Sequence, residues 1–110
     1  MVAHAHDYRV EVTLRGQIDS ETGFVTDLQA LEKTLADFVV APINDRAFHE
    51  AVDRFSGGGV QPSTEEIARW IWEVISPELS GPATLQSVRV HESDRLSVEY
   101  RGPGLHHPVP

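Results

Sequence analysis

From Tyr8 to Leu14 apolar and polar residues alternate without a break, with Tyr8, Val10, Val12 and Leu14 in one set and Arg9, Glu11 and Thr13 in the other. A repeat of two is what a strand needs when one face of its sheet is buried and the other is wet. One such strand cannot cover its own apolar face, so the rest of the chain must supply partner strands and a covering layer. Thr26 and Gln29 have capping-box spacing, and Leu28, Leu31, Leu35, Phe38 and Val39 fall at helical intervals. A helix is predicted there, stopping before Pro42, because a proline pushes the residue before it out of the α region. Ser63 and Glu66 repeat the capping spacing ahead of Ile67, Ile71, Val74 and Ile75, so a second helix is predicted, closed by Pro77.

Leu85 to Glu92 and Leu96 to Tyr100 read as two further strands turned at Ser93-Asp94-Arg95, with Val88 and Val90 facing one way and Leu96, Val98 and Tyr100 supplying the partner stripe. Between the helices, Ile43 to Val60 reads as irregular or briefly helical and closes on Gly57-Gly58-Gly59. The order strand, helix, helix, strand, strand implies the α+β class, an antiparallel sheet with two helices packed on one face. With 110 residues, 40% of them hydrophobic, the chain can enclose one modest core. A single domain over residues 1–102 is expected, followed by a mobile tail, residues 103–110, that carries no repeating pattern.

Nine basic residues against 17 acidic give a net charge of −8, a field that repels phosphate backbones and anionic bilayers, so neither nucleic acid nor membrane is expected as a partner. The absence of cysteine removes disulfides, thiolate ligands and a cysteine nucleophile. The N-terminus has no basic stretch followed by an apolar one, and a cytoplasmic protein is expected.

Few residues invite chemistry. If His4 and His6 begin the first strand, both project from one face and suit two imidazoles on one metal ion. A zinc site normally needs at least three protein ligands, however, and no third is evident. They serve equally well as exposed histidines at a frayed terminus, or as the remnant of an affinity tag. Glu92, beside the hairpin turn, is either a solvated turn residue or a carboxylate that accepts paired hydrogen bonds from an amidine-like edge of a heterocycle. Ser63 and Thr64 have an ordinary use as helix caps, although a helix start also offers free N–H groups to a ligand carbonyl or anion. Asp45 and His49 become an acid and base pair only if their loop turns back on itself, and are otherwise surface polar residues.

Taken together, four motifs in order carry a resemblance that no one of them would. His4-Ala5-His6-Asp7-Tyr8 resembles the His-Gly-His-Asn-Tyr motif of the 6-pyruvoyl-tetrahydropterin synthase and 6-carboxy-tetrahydropterin synthase family. Gly23-Phe24-Val25-Thr26-Asp27-Leu28 is similar to its Gly-Met-Val-x-Asp-Leu segment, Pro62-Ser63-Thr64-Glu65-Glu66-Ile67-Ala68 to its Pro-Thr-x-Glu-Asn-x-Ala helix start, and Val90-His91-Glu92-Ser93 to its Val-x-Glu-Thr hairpin. The resemblance implies a tunnelling-fold subunit that assembles with copies of itself, as a trimer or hexamer, with sites at subunit interfaces. It implies zinc at His4 and His6, a pterin anchor at Glu92, and pocket-lining roles for Ser63 and Thr64.

Departures from the family pattern are as informative. The family's first strand, with its third zinc histidine, and its catalytic cysteine lie upstream of the His-x-His motif, and only three residues precede that motif here. The family's Leu-Asp-His stands here as Ile43-Asn44-Asp45. Losing a base, its partner and a metal ligand together removes many orders of magnitude from the parent reaction, since one general acid or base contributes ~100- to 10,000-fold. The expectation is an enzyme that acts on another small molecule by elimination, cyclisation or isomerisation, with Asp45 or His49 transferring the proton. The alternatives are a non-catalytic binding or assembly module, or an N-terminally incomplete synthase.

Overall fold

A computed structural model describes residues 2–5, 8–43, 48–56, 59–79 and 81–103, with side chains at all of these except 2–5, 49 and 51. The predicted first strand is present as β2 (Tyr8–Arg15), but His4 is not part of it. Val2–Ala5 forms a separate strand, β1, antiparallel to β2, with His4 opposite Arg9 and Ala5 opposite Tyr8. His4 and Tyr8 therefore stand on different strands. His6 lies outside the described residues. β3 (Thr84–His91) pairs antiparallel with β2, and β4 (Ser97–Tyr100) with β3, giving one sheet in the order β1-β2-β3-β4. Thr13 pairs with Ser87 and Leu14 with Leu85, so Gln86 is an extra residue that bulges β3.

Register explains the burial. Val10 opposes Val90 and Val12 opposes Val88, and this valine quartet is sealed under the helices. α4 (Thr64–Ile75) covers β3 and β4 and buries Ile67, Ala68, Trp70, Ile71 and Ile75, essentially the predicted stripe. Its cap is the predicted one, Ser63 Oγ accepting from the Glu66 N–H at 3.2 Å, and Pro77 falls in a short 3₁₀ turn (Ser76–Glu78) that ends it. Just past β4, Gly102 takes φ +103°, and a Cβ there would stand 2.7 Å from Trp72 Cζ2. Only glycine lets the backbone pass that close to the indole at that φ.

The first helix departs from expectation at both ends. Its cap is Asp27 rather than Thr26. Asp27 Oδ1 accepts from the N–H groups of Gln29 (3.0 Å) and Ala30 (3.2 Å), and a carboxylate also complements the helix dipole. After α1 (Leu28–Leu35) the chain widens into a π-helical stretch (Ala36–Val40), in which the Ala41 N–H reaches the Ala36 carbonyl five residues back, and continues as α2 (Ala41–Ile43). Pro42 is thus inside the helix. In an α-helix its ring would strike the Phe38 carbonyl, and the wider turn ahead of it relieves that contact. The buried stripe is correspondingly narrower than predicted: Leu31, Leu35, Val39 and Ile43 are buried, whereas Leu28 and Phe38 are 48% and 42% exposed.

The irregular stretch does more packing than its composition suggests. α3 (Phe48–Ala51) and a 3₁₀ turn (Asp53–Phe55) bury Phe48, Val52 and Phe55. The Phe48 ring meets Tyr8, Phe55 and Trp70 edge to face, at centroid distances of 5.6, 6.0 and 6.1 Å, and so ties β2, the loop and α4 together. No helix among the described residues is long and apolar enough to cross a membrane.

Candidate functional site

The strongest convergence of the anticipated residues lies where α4 begins and β3 ends. Ser63 is extended (φ −66°, ψ 161°) and passes its carbonyl to the Ile67 N–H, which aims the first turn of α4 toward the β3–β4 connection. Glu92 follows β3 directly and closes the turn through its own N–H to the Leu96 carbonyl at 2.9 Å. Ser93 Oγ then accepts from the N–H groups of Arg95 (3.2 Å) and Leu96 (3.1 Å), and the Ser93 N–H donates to the Leu96 carbonyl (3.3 Å), so the turn that carries Glu92 is fixed. With both segments fixed, Thr64 Oγ1 donates to Glu92 Oε2 at 3.4 Å, across 28 residues of sequence.

That contact sets what the place can do. Glu92 keeps its exposed carboxylate beside a hydroxyl and beside a helix start whose first N–H groups have no intrahelical partner. A carboxylate accepts from an N–H and amino edge, while helix-start N–H groups donate to a carbonyl or anion, so the two together suit a urea- or amidine-containing ring. Ser63 Oγ is occupied as an acceptor by the cap, but its hydroxyl proton remains available to a ligand.

The backbone brings other anticipated residues to the same end of the sheet. His4 pairs with Arg9 and Arg9 with His91, so the three α-carbons form one row across the sheet immediately before Glu92. α3, which carries His49, is anchored there by the contact of Phe48 with Tyr8. Asp45 lies outside the described residues, as do His106 and His107 in the tail. Among the described residues no group of three His, Cys, Asp or Glu side chains is placed to hold a metal ion. Zinc is therefore not supported by donors drawn from those residues alone.

One cluster was not anticipated. On the sheet face away from the helices, His91 Nε2 and Glu11 Oε1 are 2.6 Å apart, and the His91 side chain is only 17% exposed. Arg9 Nη2 stands 3.3 and 3.4 Å from the two ring nitrogens and 3.6 Å from Glu11 Oε1. Nearly equal distances to both nitrogens place the guanidinium over the ring rather than in its plane. Alternation in β2 put Arg9 and Glu11 on the polar face, but only the pairing register shows that His91 joins them.

The family model for 6-pyruvoyl tetrahydropterin synthase matches residues 1–103. The chain is 38% identical over 100 residues to the 6-pyruvoyl tetrahydrobiopterin synthase of Poecilia reticulata, covering 90% of this chain and 65% of that protein. It is 31% identical over 110 residues to the Drosophila melanogaster protein of the same name, covering 96% and 64%. It is also 32% identical over 96 residues to the dihydroneopterin monophosphate aldolase of Pyrococcus furiosus, covering 87% and 75%. The solved Caenorhabditis elegans 6-pyruvoyl tetrahydropterin synthase superposes with a TM-score of 0.78 at 27% identity, over 86% of this chain and 66% of that one. The chain spans just under two thirds of the length of the fly and fish relatives. With the family model matching residues 1–103 and the solved relative superposing over most of the chain, this chain belongs to the 6-pyruvoyl tetrahydropterin synthase family and has its α+β tunnelling fold.

Proposed function

We propose that the chain is a divergent enzyme of this family that acts on a small, pterin-like heterocycle by proton transfer, with Glu92 as the anchor and Ser63 and Thr64 lining the pocket. The observation that carries this reading is the contact between Thr64 and Glu92, which aims an exposed carboxylate at the open start of a helix. Asp45 or His49 transfers the proton, in an elimination, cyclisation or isomerisation distinct from the ordinary synthase reaction. That relatives of similar identity carry the names of a synthase and of an aldolase supports a scaffold able to serve more than one reaction.

Copies of the chain assemble as a trimer or hexamer in the cytoplasm, through β1 and β4, the outer strands of the sheet among the described residues. If zinc is held, His4 and His6 hold it together with a histidine from another subunit or from the tail. Its chemistry would be Lewis-acid polarisation of a substrate oxygen.

Titration with biopterin, followed by its own fluorescence, tests the anchor. Glu92→Ala is expected to weaken binding by ~10- to 100-fold, the loss of a charge-assisted contact of about 1.5–3 kcal/mol, without changing the melting temperature. Unfolding with affinity retained makes Glu92 structural. Dihydroneopterin triphosphate, assayed with and without zinc, is expected to give no tetrahydropterin. Turnover of ~1 per second or more would contradict the divergence.

A further inference from the structure

The opposite end of the sheet carries a cavity. β2 and β3 are eight residues long, so the Arg15–Thr84 end stands roughly 25 Å from Glu92. There the loop after β2, the start of α1 and Gly81-Pro82 enclose a cleft of about 590 Å³, within the ~300–1,000 Å³ of small-molecule sites.

Its walls are preformed. The Asp19 N–H donates to the Phe24 carbonyl (2.9 Å), and the Gly23 N–H, at φ +78°, to the Asp19 carbonyl (2.8 Å). Asp19 Oδ1 accepts from the Glu21 N–H (2.8 Å) and Thr22 Oγ1 from the Phe24 N–H (3.2 Å). A loop stitched at four points holds Phe24 55% exposed, beside Leu28 at 48%. Neither ring nor side chain is out in water because its backbone is loose.

The cleft also has a sign. Asp19 and Asp27 line it, and among the described residues no lysine or arginine does. Each carboxylate uses Oδ1 on N–H groups of its own segment, and among the described residues no donor meets either Oδ2. Two fixed carboxylates beside an exposed phenyl ring favour a cation over the ring face and disfavour an anion.

We infer that this cleft is a binding site for a small molecule with a flat apolar body and a cationic amine or amidine end, separate from the Thr64–Glu92 site and independent of its assignment. The apolar body packs on Phe24, Leu28 and Pro82, and the cationic end meets Asp19 and Asp27.

The test is titration of the whole chain with tryptamine and, separately, indoleacetate, which share a ring and differ in charge, followed by backbone amide shifts in proton–nitrogen NMR. Tryptamine is expected to saturate and to shift amides of residues 19–29 and 81–82, with indoleacetate about tenfold weaker. Asp19→Asn combined with Asp27→Asn keeps the turn and the helix cap, so the fold is retained and the preference between the two ligands should vanish. Phe24→Ala should weaken both. Equal affinity for the two ligands, no shift at these amides at millimolar ligand, or shifts there that grow with protein concentration alone, which would assign the cleft to a second copy of the chain, each overturn the inference.

Discussion

On the helix-covered face of the sheet Val10, Val12, Val88 and Val90 are 0–3% exposed, whereas across the same strands the side chains of Arg9, Glu11, Arg89 and Glu99 are 25–48% exposed. The covered face derives its stability from area removed from water, about 25 cal/mol per Å². The open face is tied by ion pairs, Arg89 with Glu99 at 3.1 Å and Arg101 with Glu99 at 3.3 Å, that remain hydrated and therefore contribute little each. What the difference teaches is where the chain can change. A substitution on the covered face must keep volume, while the open face and the sheet ends are free to carry chemistry.

The largest effect should come from breaking the covered face at its centre. Ile71 is fully buried on α4, and Ile71→Ala is expected to cost about 2–5 kcal/mol in urea unfolding. A loss below ~1 kcal/mol would mean that the layer is not close-packed. Next is the margin where β4 leaves that layer. Gly102→Ala adds a methyl against Trp72 at a φ that only glycine adopts easily, and about 1–3 kcal/mol of destabilisation is expected. An unchanged midpoint would show that the backbone relaxes there.

Ser63 lies where the covered layer meets the candidate site. Ser63→Ala should lower stability by about 1 kcal/mol through the lost cap, and Ser63→Asn should recover it. Because Asn restores the cap without the hydroxyl, a ligand affinity that stays low in Ser63→Asn sharpens the separation of the two roles. The smallest effect belongs to the open face. Arg89→Ala is expected to change stability by about 0.2–1 kcal/mol, and less in high salt. A salt-insensitive loss of several kcal/mol would erase the contrast between the faces.

Much of this was legible in the residues themselves. The alternation from Tyr8 and the Ser63 cap with its isoleucine stripe are local patterns, set by the pitch of a strand or helix against one buried face, and they appear in the structure nearly as read. The misreadings occurred where a local rule met a tertiary condition. Pro42 ends an ordinary helix, but here a π turn accommodates it. Thr26 has the right spacing for a cap, but Asp27 offers the better acceptor one residue on. Phe48 and Phe55 sit in a stretch without periodicity, and only the approach of Tyr8 and Trp70 makes them core.

The candidate site divides in the same way. The sequence by itself determined the class of fold, the family motifs and the identity of Ser63, Thr64 and Glu92 as polar residues at element ends. Only the tertiary structure decided that Thr64 touches Glu92, 28 residues away, that His91 meets Glu11, 80 residues away, and that His4 belongs to a different strand from Tyr8. Periodicity records which side of an element faces the core, because burial acts on each residue locally. Which two distant residues meet depends on strand register and helix docking, and those are set by the packing of the whole core at once.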